Sequence, residues 1–379
     1  MAISEIGVGQ DVSGLRQRVL FAIEASSYGV PPLTTGTAYI GTNLDTTKFG
    51  VIGQQQGDVN FSIDNQLLEI TEAGRINVRD ILEKAVNVTI SNVEYYPKDF
   101  IFAIACIGDY DIDSPIEDED VEGLYKHVGG IADTTSTYVV PVEYEAKSFS
   151  LNIGLAGENK AVLFTGCKAE GITISLGMEE PLKISVDTIT ARKPYLLSSA
   201  NCDLSAKFVH KNWAPFMYHA GGEFQLDGTT LGNVTEMTVA IKNNLSPVFG
   251  MIRSSDKRLL TSLLQGQRSV SGTMTINYKD DEIVKYLLSA AASPTTPSES
   301  GVKEFDAYIL VDNRENGGYT TGAKNSDYRG LRVDVLDVKL GSVERSYPKD
   351  GKQVSETYNF NCKDVRLSYW DTEATDFWN

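Results

Sequence analysis

Three histidines, at positions 127, 210 and 219, are all that this 379-residue chain offers for imidazole chemistry. A Ser-His or Cys-His nucleophile needs a ring held by a third group. His127 follows an acidic loop, and His210 and His219 flank an irregular stretch, so all three read as loop histidines. The four cysteines, at 106, 167, 202 and 362, form no CxxC pair. Their wide separation fits neither a disulfide framework nor a zinc site, and reduced thiols in a protein assembled in a cytoplasm are the simplest account. No GxSxG, no HExxH and no Gly-rich loop leading into Lys-Ser or Lys-Thr occurs. Gly221-Gly222 and Gly317-Gly318 sit in turn contexts without the following helix that a phosphate cradle requires. The expectation is a protein that is not an enzyme and carries no cofactor.

The strongest charge feature is Asp109 to Glu122, with eight acids in fourteen residues and no base: Asp109, Asp111, Asp113, Glu117, Asp118, Glu119, Asp120 and Glu122. Acids at the first, third, fifth and twelfth positions resemble a calcium loop, whose hard oxygens converge on one point. Against that, Ser114 holds the sixth position where Gly makes the sharp turn, Pro115 follows, and Asp120 is shorter than the usual bidentate Glu. The expected role is a charged surface, with no metal. Paired carboxylates for glycoside hydrolysis cannot be singled out among 51 acids.

These residues need elements to position them, and at ~150 residues per domain the length suggests two or three domains. Apolar residues at 41% and charged residues at 22% describe a packed globular chain, and 18 Tyr, 14 Phe and 3 Trp argue against disorder. A net charge of −17 is repelled by phosphate backbones and anionic lipid. The first residues lack a basic start followed by a long apolar stretch, so no export signal is expected. The longest apolar run, Phe100–Ile107, is too short to span a bilayer, so no membrane partner is expected.

Most of the chain alternates apolar and polar residues with period two, the pattern of half-buried antiparallel strands. Ile172, Ile174 and Leu176, then Leu182, Ile184 and Val186, form a hairpin around Met178–Pro181. Phe224–Leu226 is expected to pair with Met237, Val239 and Ile241 around Asp227-Gly228. Leu331, Val333 and Val335 give way to Leu336, Val338 and Leu340, a slip of one residue that a β-bulge would produce. Val354, Tyr358 and Phe360 are expected on one face, with Glu356, Asn359 and Asn361 on the other. Helical signal is confined to Asp280–Ala292 and Val78–Val86, while Phe100–Ile107 is a buried strand or a short helix.

The order strand, short apolar segment, strand and long hairpin occurs twice. Residues 87–111, 145–154, 167–176 and 179–190 correspond to 271–295, 303–312, 331–340 and 351–360. The reading is an N-terminal segment (1–40), a first β-domain (41–195), a linker (196–220) and a second β-domain (221–379). The fold class is all-β, or β-rich α+β, with tandem antiparallel sandwich or barrel domains and short flanking helices. Many strands with few helices to cover their edges favour edge-to-edge assembly into a ring or fibre.

Four segments, FTGCKAEGITISLGMEEPLKISVDTIT (164–190), FQLDGTTLGNVTEMTVAIKNNLSPVFG (224–250), GQRSVSGTMTINYKDDEIVKYL (266–287) and VLFAIEASSYGVPPL (19–33), resemble the tail tube proteins of long-tailed bacteriophages and related archaeal viruses. The resemblance implies a β-sandwich or barrel whose strands join side by side into rings with a continuous β-barrel wall. It implies stacking of rings into a hollow tube that encloses a tape-measure protein, meets a tail terminator and baseplate or tip proteins, and conducts viral DNA in transit. Localisation would be the virion tail, after assembly in the host cytoplasm. Two tube-like domains per chain favour a ring of three copies with pseudo-sixfold symmetry over a ring of six. Candidate assembly hairpins are Ile172, Ile174, Leu176, Leu182, Ile184 and Val186, with Val333, Val335, Val338, Tyr358 and Phe360 as their counterpart. Sandwich core is the competing reading for all of them. The acidic loop is a candidate lumen surface, where it would repel phosphate. Alternatives are the inner tube of a contractile injection particle, a secreted carbohydrate-binding or adhesive β-sandwich, and a metal-dependent hydrolase.

Overall fold

The structure, a computed structural model, describes residues 17–24, 28–33, 44–45, 48–71, 78–107, 116–130, 148–155, 160–178, 180–198, 222–226, 228–230, 234–249, 260–278, 283, 304–313, 319–320, 323–325, 327–349 and 353–372. The first strands are β1 (Gln17–Ile23), β2 (Gly50–Val51), β3 (Gln54–Gln55), β4 (Asn60–Thr71), β5 (Val78–Ser91) and β6 (Val93–Tyr96). After the helix α1 (Ile101–Ile107) come β7 (Ile116–Glu117), β8 (Tyr125–Gly130), β9 (Phe149–Leu155) and β10 (Lys160–Ala169). The first half ends with β11 (Gly171–Gly177), β12 (Lys183–Val186), β13 (Ile189–Ala191) and β14 (Lys193–Ser198). The second half begins with β15 (Gly222–Leu226), β16 (Thr229–Thr230), β17 (Val234–Lys242), β18 (Leu245–Phe249), β19 (Leu260–Gln265) and β20 (Ser269–Asn277). It ends with β21 (Phe305–Asp312), β22 (Tyr319–Thr320), β23 (Ala323–Lys324), β24 (Gly330–Ser346), β25 (Ser355–Cys362) and β26 (Asp364–Asp371). No helix among the described residues is long and apolar enough to cross a membrane.

The pairings are antiparallel throughout and repeat in the same order. β2-β1-β9-β10, with β14 also on β10, matches β16-β15-β21-β24, with β26 also on β24. β11, then β12 with β13, then β6 with the end of β5, then β3 with the start of β4 match the C-terminal half of β24 followed by β25, β20 and β17, and the outer part of the β4-β5 hairpin matches β18-β19. The two halves share one sheet, because β11 pairs with β17 from Gly171 opposite Lys242 to Gly177 opposite Glu236. One core runs through both, taking Phe21, Phe102, Phe149 and Ile184 from the first and Met274, Ile309, Val333 and Tyr358 from the second. Burying such side chains stabilises the fold by roughly 1.5–3 kcal/mol each.

A bulge marks the same place in each repeat. Gly166 (φ 63) interrupts β10 and Asp337 (φ 53) interrupts β24, so each long strand turns its apolar face back to the core. The slip between Val335 and Val338 is therefore real, with Asp337 at its centre. Each bulge donates its N–H to a carboxylate: Gly166 to Glu24 Oε1 at 2.7 Å and Asp337 to Asp306 Oδ1 at 2.9 Å. Glu24 also accepts from Gly29 N and Ser150 Oγ, both at 2.7 Å, and from Ser148 Oγ. Burial pushes its carboxyl above the ordinary carboxylate range, against the pull of those donors.

Four expectations need correcting or completing. Val78–Val86 is strand, the start of β5, because pairing with β4 along its whole length outweighs a weak helical period. Phe224–Leu226 pairs with β16 and β21, whereas β17 crosses to β11 and β20; the chain does reverse between Leu226 and Thr229, but onto a different partner. Glu356 lies inward with Tyr358 and Phe360, neutralised by Arg345 and accepting from Tyr358 Oη at 2.6 Å. Phe100–Ile107 is resolved as the helix α1, opened by Asp99 Oδ1 accepting from Ile101 N. The expected helix at 280–292 lies outside the described residues apart from the buried Ile283.

A buried amide locks the halves together. Asn243 Nδ2 donates to Cys106 O, in the last turn of α1, and to Ala169 O on β10, both at 2.9 Å. Its Oδ1 accepts from Arg268 Nε at 3.0 Å, and Arg268 also reaches Ile107 O. Carbonyls at a helix C-terminus lack intrahelical partners, so this pair caps α1 from the other repeat. Asn243→Ala is expected to lower stability by about 2–4 kcal/mol, read from the urea midpoint, because buried acceptors lose their donor. Asn359→Ala, which removes an exposed bond to Ser342 Oγ, is expected to change it by less than about 0.5 kcal/mol.

Candidate assembly surfaces

The chemistry-bearing residues resolve first. His127 is not on a loop: it lies on β8, buried, with Nε2 2.9 Å from Asp371 Oδ1 and its ring stacked on Tyr369 at 4.6 Å. The alternation of β8 was too short to signal this. His210, His219 and Cys202 lie outside the described residues. Cys106 and Cys167 are buried, which pushes both thiols up, and burial likewise pushes Cys362 up to about 12. Thiols held in that form are poor nucleophiles at neutral pH. Among the described residues, no three His, Cys, Asp or Glu side chains converge as a metal site would require.

Asp109, Asp111 and Asp113 lie outside the described residues. The rest of the acidic loop is a tight turn between β7 and β8. Glu117 Oε1 accepts from Gly123 N at 3.0 Å, Asp118 Oδ1 from Asp120 N at 3.1 Å, and Asp118 Oδ2 pairs with Lys324 at 3.0 Å. Glu119, Asp120 and Glu122 are exposed. The turn extends from the β26-β8-β7 side of the larger sheet.

The hairpin residues Ile172, Ile174, Leu176, Leu182, Ile184 and Val186 are buried in the core, as are Val333, Val335, Val338, Tyr358 and Phe360. The strands β11 and β12 are paired on both sides, to each other and to β17 and β6. β25 lies between β20 and β24. What these strands present outward is the alternate set of small polar residues. Thr275 Oγ1 meets Thr357 Oγ1 at 3.2 Å, and Ser185 Oγ donates to Glu94 Oε1 at 3.3 Å. Glu94, Glu170, Asp187, Glu236 and Glu344 lie along this face against Lys183 and Lys242, giving it a net negative charge.

Several strands have a neighbour on one side only among the described residues, and two of these edges are long. The C-terminal part of β24, from 339 onward, pairs with β25 alone, and β4 pairs with β5 alone. Phe61 and Ile63 on β4, and Tyr347 just past β24, are exposed. The sequence contained that signal, in apolar residues alternating along strands, but nothing in it says which strand ends a sheet.

Antiparallel strands with unpaired edges and a polar, acid-bearing face are the surfaces that the described residues offer for assembly. No curated protein matches the chain. A family model described as "Phage tail tube protein" matches residues 108–304, more than half of the chain and across the β11-β17 ladder. On that match, to which the all-β fold conforms, the chain belongs to the phage tail tube protein family, a structural component of the virion tail.

Proposed function

We propose that the chain is the major tube subunit, that three copies close into a pseudo-sixfold ring, and that rings stack into a hollow channel for DNA. The observation that carries this reading is the strand-by-strand repeat, which gives each chain two equivalent units already joined through β11 and β17. Three such chains supply six units. The channel would hold a tape-measure protein during assembly, end at terminator and baseplate or tip proteins, and pass DNA later.

The face of the β11-β12-β17-β20-β25 layer away from the core is the surface we assign to the channel wall. Hydroxyls and amides that bond to one another offer few donors to phosphate, and the excess of acids repels it. The turn at Glu117–Glu122 belongs to the opposite side of the molecule on this reading, which gives the acidic loop to the tube exterior.

Purified protein imaged by negative stain, with particle masses measured alongside, is expected to show rings of three chains and stacked tubes. Monomers that persist at high concentration would sink the tube reading, and a six-chain ring would sink the trimer. Assembled tubes of a Glu94→Lys, Glu236→Lys variant are expected to retain short double-stranded DNA on sedimentation at low salt, while native tubes do not. Equal behaviour of the two would remove these acids from the channel wall.

A further inference from the structure

We propose that copies of this chain join head to tail through one antiparallel ladder, the free edge of β24 at 342–347 pairing with the start of β4 at 59–64, Val343 opposite Ile63 and Arg345 opposite Phe61. The inference rests on the ring reading above and names the contact that closes the ring. Its template is inside the chain.

The register follows from the repeat. Gly166 and Asp337 are the same bulge, and counting onward from it places Ile172 with Val343, Ile174 with Arg345 and Leu176 with Tyr347. On the other edge, Ile63 lies opposite Val88 as Ile241 lies opposite Val270, and Phe61 opposite Ile90 as Val239 opposite Gly272. Within the chain, Ile172 faces Ile241 and Ile174 faces Val239. Transferring those two pairs gives the proposed register.

Exposure agrees with this transfer. At the internal ladder Ile172, Leu176, Val239 and Ile241 are all buried. Of their four counterparts at the free edges, Val343 is partly buried against the core, while Phe61, 46% exposed, Ile63, 45%, and Tyr347, 68%, are three of the seven large apolar side chains exposed among the described residues. Arg345, which reaches the surface beside Glu356, would meet the Phe61 ring. Exposed apolar residues on an unpaired edge invite a further strand, and here the edges are complementary within one molecule.

A second contact points the same way. The β18-β19 hairpin lies over the first repeat, where the buried Lys168 donates to Leu263 O at 2.9 Å and Arg192 Nε to Leu260 O at 3.1 Å. The matching positions in the second repeat are Lys339 and Lys363, with side chains 54% and 59% exposed and held by Glu304 and Asp337. The outer part of the β4-β5 hairpin, beyond the pairs matched to β17 and β20, corresponds to β18-β19, so a neighbour docked by this ladder brings that end of its hairpin onto those lysines. Three copies then contain six junctions of one kind, three within chains and three between them.

Directly opposed strand residues lie within disulfide reach. The full chain carrying Ile63→Cys and Val343→Cys, mildly oxidised, is expected to give covalent two- and three-chain species on a non-reducing gel. The single variants, and the pair Ile63→Cys with Glu344→Cys, whose side chains leave opposite faces, are expected to give none. Rings seen in micrographs without these species, or an equal ladder from the 63/344 pair, would overturn the contact while leaving the ring reading intact. Absence of both rings and cross-links would overturn both, and cross-linked chains without closed rings would uphold the ladder and remove the ring. Ile63→Lys, at an exposed site, is expected to melt within about 2 °C of the native chain and to remain a single chain by mass; assembly of that variant as in the native protein would also overturn the contact.

Discussion

The ladder between β11 and β17 is the constraint around which the molecule is arranged. A strand edge left bare exposes a row of backbone donors and acceptors, and buried groups of that kind must be paired. By joining β11 of one repeat to β17 of the other, the ladder satisfies both edges at once and closes the core over Ile172, Ile174, Val239 and Ile241. Asn243, Lys168 and Arg192 then bond across it to carbonyls of the other repeat, so the junction is fixed by directional contacts as well as by apolar packing. Hydrogen bonds to buried carbonyls are worth most when losing them leaves a desolvated acceptor, which is the situation of all three.

The repeats keep backbone irregularities more faithfully than side chains. Both long strands break at a residue with positive φ, glycine in one and aspartate in the other, and both bulges are capped by a carboxylate taken from a different strand. Between them the core chemistry has changed: the apolar pair Ile174 and Ile184 occupies positions held in the second repeat by the ion pair of Arg345 and Glu356. A buried carboxylate is tolerable there because Arg345 neutralises it and Tyr358 donates to its second oxygen. What the repeat conserves is a bend and a register, and these can be satisfied by several residue types.

That explains what was legible in the residues and what was not. Alternation placed β11 and β12 and their burial correctly, and the one-residue slip located the bulge at Asp337, because both signals are local and periodic. Partner choice is not local. The turn signal in the sequence at Asp227-Gly228 is readable, but sending β17 to β11 and β20 depends on strands at least 27 residues away. The inward Glu356 was misread because its tolerability depends on Arg345, on a neighbouring strand. His127 was misread for the same kind of reason, since Asp371 lies at the far end of the chain. The family resemblance drew on segments spanning the β11-β17 ladder, where turn residues and strand spacing are most constrained.

An unpaired edge is a liability that a monomer must blunt with charge, proline or a covering element. This chain does the opposite at two places: β4 presents Phe61 and Ile63, and β24, paired with β25 as far as Ser346 and followed by the exposed Tyr347, has no strand on its outer side among the described residues. The remaining charges are distributed with the same asymmetry. Acids outnumber lysines on the polar face, whereas Lys339 and Lys363 cluster beside the Asp337 bulge, where the unpaired edge of β24 begins and a neighbour's carbonyls could replace Glu304 and Asp337 as partners. In the proposed ring, apolar area at the edges and like charge on the broad face would favour lateral, edge-to-edge joining over association through the acidic face, because the latter would bring acidic surfaces together while the former would bury the exposed apolar side chains and complete the backbone pairing.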